Sequence, residues 1–453
     1  MRFKETGDIA AGRLPAEQLA NQFSDIAPAL SRDEALVAAN RCYFCYDAPC
    51  INACPTGIDI PSFIRKIQTE NLKGAATTIL AANPLGGMCA RVCPTEILCE
   101  GSCVRNTQES KPVQIGALQR HATDWVYEQN VALFHRAPET GFHVAVVGAG
   151  PAGLACAHKL SLKGHRVTIF DAQGKGGGLN EYGIAAYKTV DDFAQREIDW
   201  LLSVGGIDLK CGMALGKDLS LDQLRQDFDA VFLAVGLAGV NALGIEGEAI
   251  EGVQPAVDFI EALRQADDLA ALPVGRRIVV IGGGNTAIDA AVQSRKLGAK
   301  SVSMVYRRGI ESMTATWAER EFAQKSGVTI IDHARPVRVL AEEGVVTGVM
   351  FEQTEVEQGQ LRGTGDTFVV PADQVLTAIG QTLVSFGAGF ELLATTGGKI
   401  EVDAHGATSL SGVWAGGDCA LTGMDLTVQA VEDGKRAAAA MDDALAASLA
   451  RAA

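Results

Sequence analysis

The 453-residue chain contains no run approaching the roughly 18 apolar residues that a membrane span requires. It does not open on an apolar leader either, since Met1-Arg2-Phe3-Lys4-Glu5-Thr6 is mostly polar. A reducing, cytoplasmic setting without a membrane partner is therefore expected. Positive charge is in deficit, with 54 acidic against 39 basic side chains and a net charge of -15, which disfavours nucleic acid or an anionic lipid surface as a partner. Apolar residues, at 47%, and 50 glycines are plentiful. Such a composition suits a multidomain enzyme of about three domains.

Cysteine is crowded rather than scarce. Eight of the eleven lie in two groups, Cys42-x2-Cys45-x4-Cys50-x3-Cys54-Pro55 and Cys89-x3-Cys93-Pro94-x4-Cys99-x3-Cys103. Thiolates at such spacing ligate soft metals, and a proline after the last cysteine of a run is a ferredoxin-like habit. Structural zinc usually takes paired Cys-x2-Cys knuckles, and only Cys42 and Cys45 have that spacing. Iron-sulfur clusters are the leading reading, with zinc and inert thiols behind.

Residues 1–138 read as mainly helical, with helix-like stretches over 60–80 and 115–128. From His143 onward, short apolar strands alternate with glycine turns and longer helices, the pattern of a parallel sheet. A strand over 143–147 runs into Gly148-Ala149-Gly150-Pro151-Ala152-Gly153, then a helix, a strand over 166–170, and Asp171. This is a dinucleotide fingerprint in full context: glycines for the turn, for pyrophosphate approach and for helix packing, a helix N-terminus for the phosphates, and an acid for the ribose. Gly178, Leu179 and Gly236 join the same candidate site. A strand over 277–281 repeats the pattern into Gly282-Gly283-Gly284-Asn285-Thr286, and the next strand, 301–306, ends in Arg307-Arg308. That pair could hold a 2′-phosphate or be a solvated basic turn.

Near the C-terminus, Gly416-Gly417-Asp418 follows an apolar strand, and Thr427-Val428 opens a helix. Flavoproteins with two dinucleotide sites place such a segment against FAD, the acid on the ribityl chain and the helix N-terminus at the pyrimidine edge. Segments 229–236 and 374–380, the latter ending Ala378-Ile379-Gly380, read as the strands leading to two chain crossings. The expected fold is α/β: an N-terminal helical two-cluster iron-sulfur domain (1–138), then two Rossmann-like domains. A discontinuous FAD domain would span 139–257 and 383–453, with a nicotinamide domain, 258–382, inserted. No cysteine lies between Cys211 and Cys419. A redox Cys-x2-Cys is thus missing, which argues against disulfide reduction.

Several strings carry a resemblance over nearly the whole chain. Asp47-Ala48-Pro49-Cys50, Cys54-Pro55-Thr56-Gly57-Ile58-Asp59-Ile60-Pro61, Asn83-Pro84-Leu85-Gly86 and Ile115-Gly116-Ala117-Leu118-Gln119 resemble the N-terminal half of dihydropyrimidine dehydrogenase. The layout is most similar to the small, flavin-bearing subunits of bacterial NAD-dependent dihydropyrimidine dehydrogenases, and next to glutamate synthase small subunits.

The resemblance implies crossed ligation of two 4Fe-4S clusters: Cys42, Cys45, Cys50 and Cys103 on one, Cys54, Cys93, Cys99 and Gln119 on the other, with Cys89 no ligand. It implies NADH as donor, where the arginine pair points to NADPH. It also implies electron input, with NAD(P)H oxidised at FAD and the clusters leading to a large subunit. That subunit would carry FMN, further 4Fe-4S clusters and the site reducing uracil or thymine, in a hetero-oligomer, as a heterotetramer. No barrel of about 250 residues for that second site is present. Rival readings are a glutamate synthase small subunit or a related NAD(P)H:ferredoxin-type reductase, and a non-catalytic docking scaffold. Hydride transfer needs no protein acid or base, so no catalytic carboxylate is nominated.

Overall fold

The computed structural model describes residues 8–387 and 389–452. They divide into two compact units. One comprises Ala27–Glu181, Asp191–Gly239 and the chain from Thr382; the other comprises residues 8–26, Tyr182–Val190 and Val240–Gln381.

In the first unit, five parallel strands lie in the order Val413–Ala415, Ala230–Leu233, His143–Val147, Arg166–Asp171 and Ile207–Cys211. Successive side chains of a strand alternate between faces. Accordingly Val144, Val146 and Phe232 belong to one core while Ala145, Val147 and Val231 belong to another. The helices Pro151–Leu162 and Thr427–Ala452 pack together, with Leu154, Cys156, Val431 and Met441 fully or almost fully buried in the first of these cores.

The cysteine-bearing part of this unit is built on the helices Arg32–Ala39, Ile60–Gln68, Leu72–Ala82 and Ile115–Glu128. Phe63, Ile64, Ile79, Leu80 and Leu118 fill its core. The expected helical stretch 60–80 is two helices. Glu70 turns left-handed at φ 57°, and Asn71 Oδ1 accepts the Gly74 N–H at 2.9 Å, capping the second helix.

The second unit has its own parallel sheet, in the order Val328–Ile331, Ser301–Val305, Arg277–Gly282, Gln374–Ala378, Val253–Pro255. Three long antiparallel strands, Ala334–Glu342, Val345–Glu357 and Gln360–Pro371, form a separate sheet in it. Residues 8–26, expected within the iron-sulfur domain, belong to this unit instead. Ile9–Ala10 pairs antiparallel with Val274–Gly275, and Leu19 and Phe23 are buried in the same core as Ile260 and Val292. Tyr182–Val190 also joins it: Lys188 Nζ lies 2.8 Å from Asp289 Oδ1 and 2.7 Å from Glu319 Oε1. The crossings fall at 239/240 and 381/382 rather than the expected 257/258 and 382/383. Such long-range pairings leave no trace in local periodicity. Among the described residues no helix is long and apolar enough to cross a membrane.

Candidate functional site

The eight clustered cysteines line two separate cavities. Cys42, Cys45, Cys50 and Cys103 share one with Ile60, Ile64 and Ile115. The other holds Cys54, Cys89, Cys93, Cys99 and Gln119, with Ile58, Leu98 and Val428. Cys50 and Cys54 are four residues apart yet open into different cavities. Between them the short helix Pro49–Asn52 ends and the Cys54 N–H closes a tight turn onto the Ile51 carbonyl at 3.0 Å; beyond Cys54, Gly57 is left-handed at φ 63°. Thr56 Oγ1 sits 3.3 Å from Cys54 Sγ.

Burial raises the Cys42, Cys50 and Cys99 thiols. Cys50 is pushed up to about 11 by burial and then by the neighbouring Cys42 and Cys103. Cys93 is raised by a hydrogen bond with Cys89 and by burial. A metal entering either cavity must displace protons, since thiolate is the ligand form. Among the described residues no group of three His, Cys, Asp or Glu side chains converges on a single ion. Sulfurs spread around a cavity suit a multi-iron cluster better than a mononuclear zinc ion.

Gln119 is 8% exposed and commits one end of its amide, Nε2 donating to the Gly86 carbonyl at 2.7 Å. Its oxygen is thereby the end free to serve the cavity. Donor set and enclosure fit two iron-sulfur clusters.

The first fingerprint has the geometry a dinucleotide requires. A Cβ on Gly148 (φ 105°) would lie 2.2 Å from the Ala234 carbonyl oxygen, and one on Gly153 would lie 1.9 Å from the Gly148 carbonyl oxygen. Gly150 caps the helix Pro151–Leu162, which Ala152 continues, and a Cβ on it would meet only Gly178 Cα, at 3.9 Å. That gap fits a pyrophosphate at the helix N-terminus. Asp171 accepts N–H bonds from Ala149 at 2.6 Å and Gln173 at 2.8 Å, so it also braces the turn from which a ribose would be bound. Leu179 opens a short helix after Gly178, and Gly236 (φ 61°) lies beyond the strand Ala230–Leu233 with nothing near where a Cβ would stand.

At the C-terminal segment, Gly417 N–H donates to Asp433 Oδ2 at 3.1 Å, and burial pushes Asp418 up to about 6. Thr427 Oγ1 donates to Asn180 Oδ1 at 3.0 Å. Val428, 2% exposed, is part of the wall of the cavity that holds Cys54, Cys93 and Cys99. The helix start expected at the flavin therefore also borders a cluster cavity.

In the other unit, a Cβ on Gly282 would lie 2.2 Å from the Ala378 carbonyl oxygen, and one on Gly283 would meet the Tyr306 ring at 2.5 Å. Gly284 caps the helix Asn285–Lys296, which begins Asn285-Thr286. Asn285 Oδ1 is buried without a hydrogen-bond partner, an acceptor left over for a ligand. Arg307 and Arg308 are exposed, while their carbonyls are held by Thr354 Oγ1 at 2.7 Å and His333 N–H at 3.1 Å. Ile379 O accepts from Asn241, and Gly380 (φ 99°) lies just beyond the strand Gln374–Ala378.

Three comparisons bear on this arrangement. Residues 142–434 match the family model described as pyridine nucleotide-disulphide oxidoreductase, and residues 19–131 match dihydropyrimidine dehydrogenase domain II, 4Fe-4S cluster. The chain belongs to the pyridine nucleotide-disulphide oxidoreductase family. It is similar to the NAD-dependent dihydropyrimidine dehydrogenase subunit PreT of Salmonella typhimurium, 35% identical over 423 residues that cover 93% of this chain and 97% of that one. The small chain of NADPH glutamate synthase from Escherichia coli is 33% identical over 446 residues, covering 92% and 93%. Among solved structures, Mycobacterium tuberculosis FprA in complex with NADPH shares the fold, with a TM-score of 0.58 and 19% identity over 70% of this chain and 86% of that chain.

This member of the family is thus an oxidoreductase with an iron-sulfur domain ahead of its dinucleotide-binding fold, as the sequence led one to expect. Other residues around the site were not expected. Glu197, fully buried, accepts from Gly87 N at 2.8 Å, Met88 N at 3.1 Å and the Tyr127 hydroxyl at 2.8 Å, fixing the helix Gly86–Val92 that carries Cys89. Asp433 gathers Gly417, Thr422 and Gln429. A Cβ on Gly434 would lie 2.1 Å from the Ala152 carbonyl oxygen, so that glycine sets the helix contact beneath the first fingerprint. Only Gly434, a glycine inside a helical pattern, left a sequence signal.

Proposed function

We propose that this chain is the electron-input subunit of a two-component reductase: it oxidises NADH or NADPH at FAD and passes electrons through two 4Fe-4S clusters to a partner. The proposed partner carries FMN and further clusters and reduces uracil or thymine to the 5,6-dihydropyrimidine. The observation that carries the reading is Val428, which opens the helix proposed to face the flavin and also walls a cysteine cavity. When bound, flavin converts hydride chemistry into single-electron chemistry and the clusters carry single electrons.

The residues have defined tasks in this reading. Gly148, Gly150 and Gly153 admit the FAD pyrophosphate to a helix N-terminus, Asp171 holds the ribose, and Asp418 the ribityl chain. Gly282, Gly284, Asn285 and Thr286 would receive the nicotinamide dinucleotide. Cys42, Cys45, Cys50 and Cys103 would hold one cluster, and Cys54, Cys93, Cys99 and Gln119 the other. Val428 would present an apolar side chain to the cavity.

Support from relatives is in their names: one is a dihydropyrimidine dehydrogenase subunit, another a glutamate synthase small chain. Anaerobic purification tests the reading. About eight iron, eight sulfide and one FAD per chain are expected, with flavin bleaching by NAD(P)H. The chain alone should not reduce uracil. Bound zinc, or full-rate uracil reduction without a partner, would sink it, and capture of a glutamate synthase large subunit as natural partner would replace the acceptor.

A further inference from the structure

The second cavity has one donor more than a four-iron cluster needs. Cys54, Cys93, Cys99, Gln119 and Cys89 all line it, whereas each iron of a four-iron cluster takes one protein ligand. Gln119 and Cys89 compete for one position.

Cys89 is well placed for it. Cys93 N–H donates to the Cys89 carbonyl at 3.0 Å, so the two residues are one helical turn apart and their thiols leave the same face. Cys89 is 2% exposed and packs with Leu98 and Val428, residues that line the same cavity. The rival ligand is tethered to the same helix, since Gln119 Nε2 donates to the carbonyl of Gly86, its first residue. A neutral amide oxygen is a harder and weaker partner for cluster iron than a thiolate.

We propose that Cys89 is an alternate ligand for the iron that Gln119 serves, able to displace the amide oxygen. The proposal rests on the cluster reading above. In the exchange the iron–Oε1 bond breaks, an iron–Sγ bond forms, the thiol proton passes to water, and no electron moves. The site gains one negative charge, which lowers its reduction potential. One cluster thereby has two settings, selected by which side chain holds its fourth corner.

Full-length protein assembled anaerobically tests this, comparing wild type with Gln119→Leu, Gln119→Asn, Cys89→Ala and the double variant Cys89→Ala/Gln119→Leu. The readouts are iron content, electron paramagnetic resonance of oxidised and reduced protein, and a potential titration. Gln119→Leu should keep the wild-type iron count, about eight per chain, with a changed reduced signal and a lower potential. Cys89→Ala should keep the wild-type iron count and the Gln119-ligated signal but lose the lower-potential setting. The double variant should lose one iron and show an oxidised three-iron signal. Gln119→Asn, one methylene shorter, serves if the leucine variant does not fold. A three-iron signal or cluster loss in the Gln119 variants with Cys89 intact overturns the proposal. Wild type without iron would instead overturn the cluster reading itself, so the two failures are distinguishable.

Discussion

The Tyr127 hydroxyl donates to Glu197 Oε1 at 2.8 Å inside a fully buried pocket, beneath the helix that carries Cys89. Burial pushes the Glu197 carboxyl up to about 7, although Tyr127 and the Gly87 and Met88 N–H groups all favour its ionised form. Between about 4.5 and 7 the folded protein therefore holds a proton that the unfolded chain has released. That contribution to stability is complete below about 4.5 and is lost as pH rises through about 7. Thermal unfolding from pH 5 to 8 should show this decline, and Glu197→Gln should flatten it. Glu197→Ala, which leaves several buried donors unpaired, should cost about 2–4 kcal/mol.

Lys188 bridges Asp289 and Glu319 in a buried site. Burial alone would depress its ammonium, but the two carboxylates outweigh it and hold the charge in place. Lys188→Met strands the buried Asp289 carboxylate beside the half-buried Glu319. A loss of about 3–5 kcal/mol is expected by urea unfolding, largely recovered when Asp289→Asn is added.

Gly434→Ala forces a methyl group against the Ala152 carbonyl oxygen. The helix Thr427–Ala452 must then move away from Pro151–Leu162. Destabilisation of about 1–3 kcal/mol is expected, together with weaker FAD retention on gel filtration. Gly359, a left-handed turn glycine with open space around it, makes a control: Gly359→Asn should leave FAD bound.

Arg307 and Arg308 end the second strand of the second fingerprint with exposed guanidinium groups. If they meet a 2′-phosphate, alanine at either position lowers kcat/KM for NADPH by about tenfold and leaves that for NADH within about twofold. Equal losses for both dinucleotides would assign the pair to general binding.

Crossed ligation has its own signature. Cys50→Ser and Cys103→Ser should abolish one paramagnetic signal of the reduced protein, and Cys54→Ser and Cys93→Ser the other. If Cys50→Ser and Cys54→Ser removed the same signal, the crossed assignment would fail.

Much of this was readable from residues alone, because glycine motifs report backbone geometry directly. Gly148 and Gly282 stand where a side chain would strike a neighbouring strand, and a strand–glycine–helix pattern announces that locally. The split of Cys50 from Cys54 was not readable from spacing, since it depends on a turn and on Cys103 arriving from far along the chain. Residues 8–26 were misplaced for a similar reason: Leu19 and Phe23 find their core near Ile260. Cys89 shows the limit of resemblance. It suggests which side chains ligate, but not which spare donor stands beside them.

Val428 has a meaning beyond packing. Its side chain carries neither a lone pair nor an acidic hydrogen, so the wall it builds cannot solvate a charge passing on either side. In the proposed relay, an electron crossing there would meet a side chain with no dipole of its own to reorient. Speed across that proposed step would then depend on what the valine leaves out, and a carboxylate at position 428 would turn a conduit into a brake.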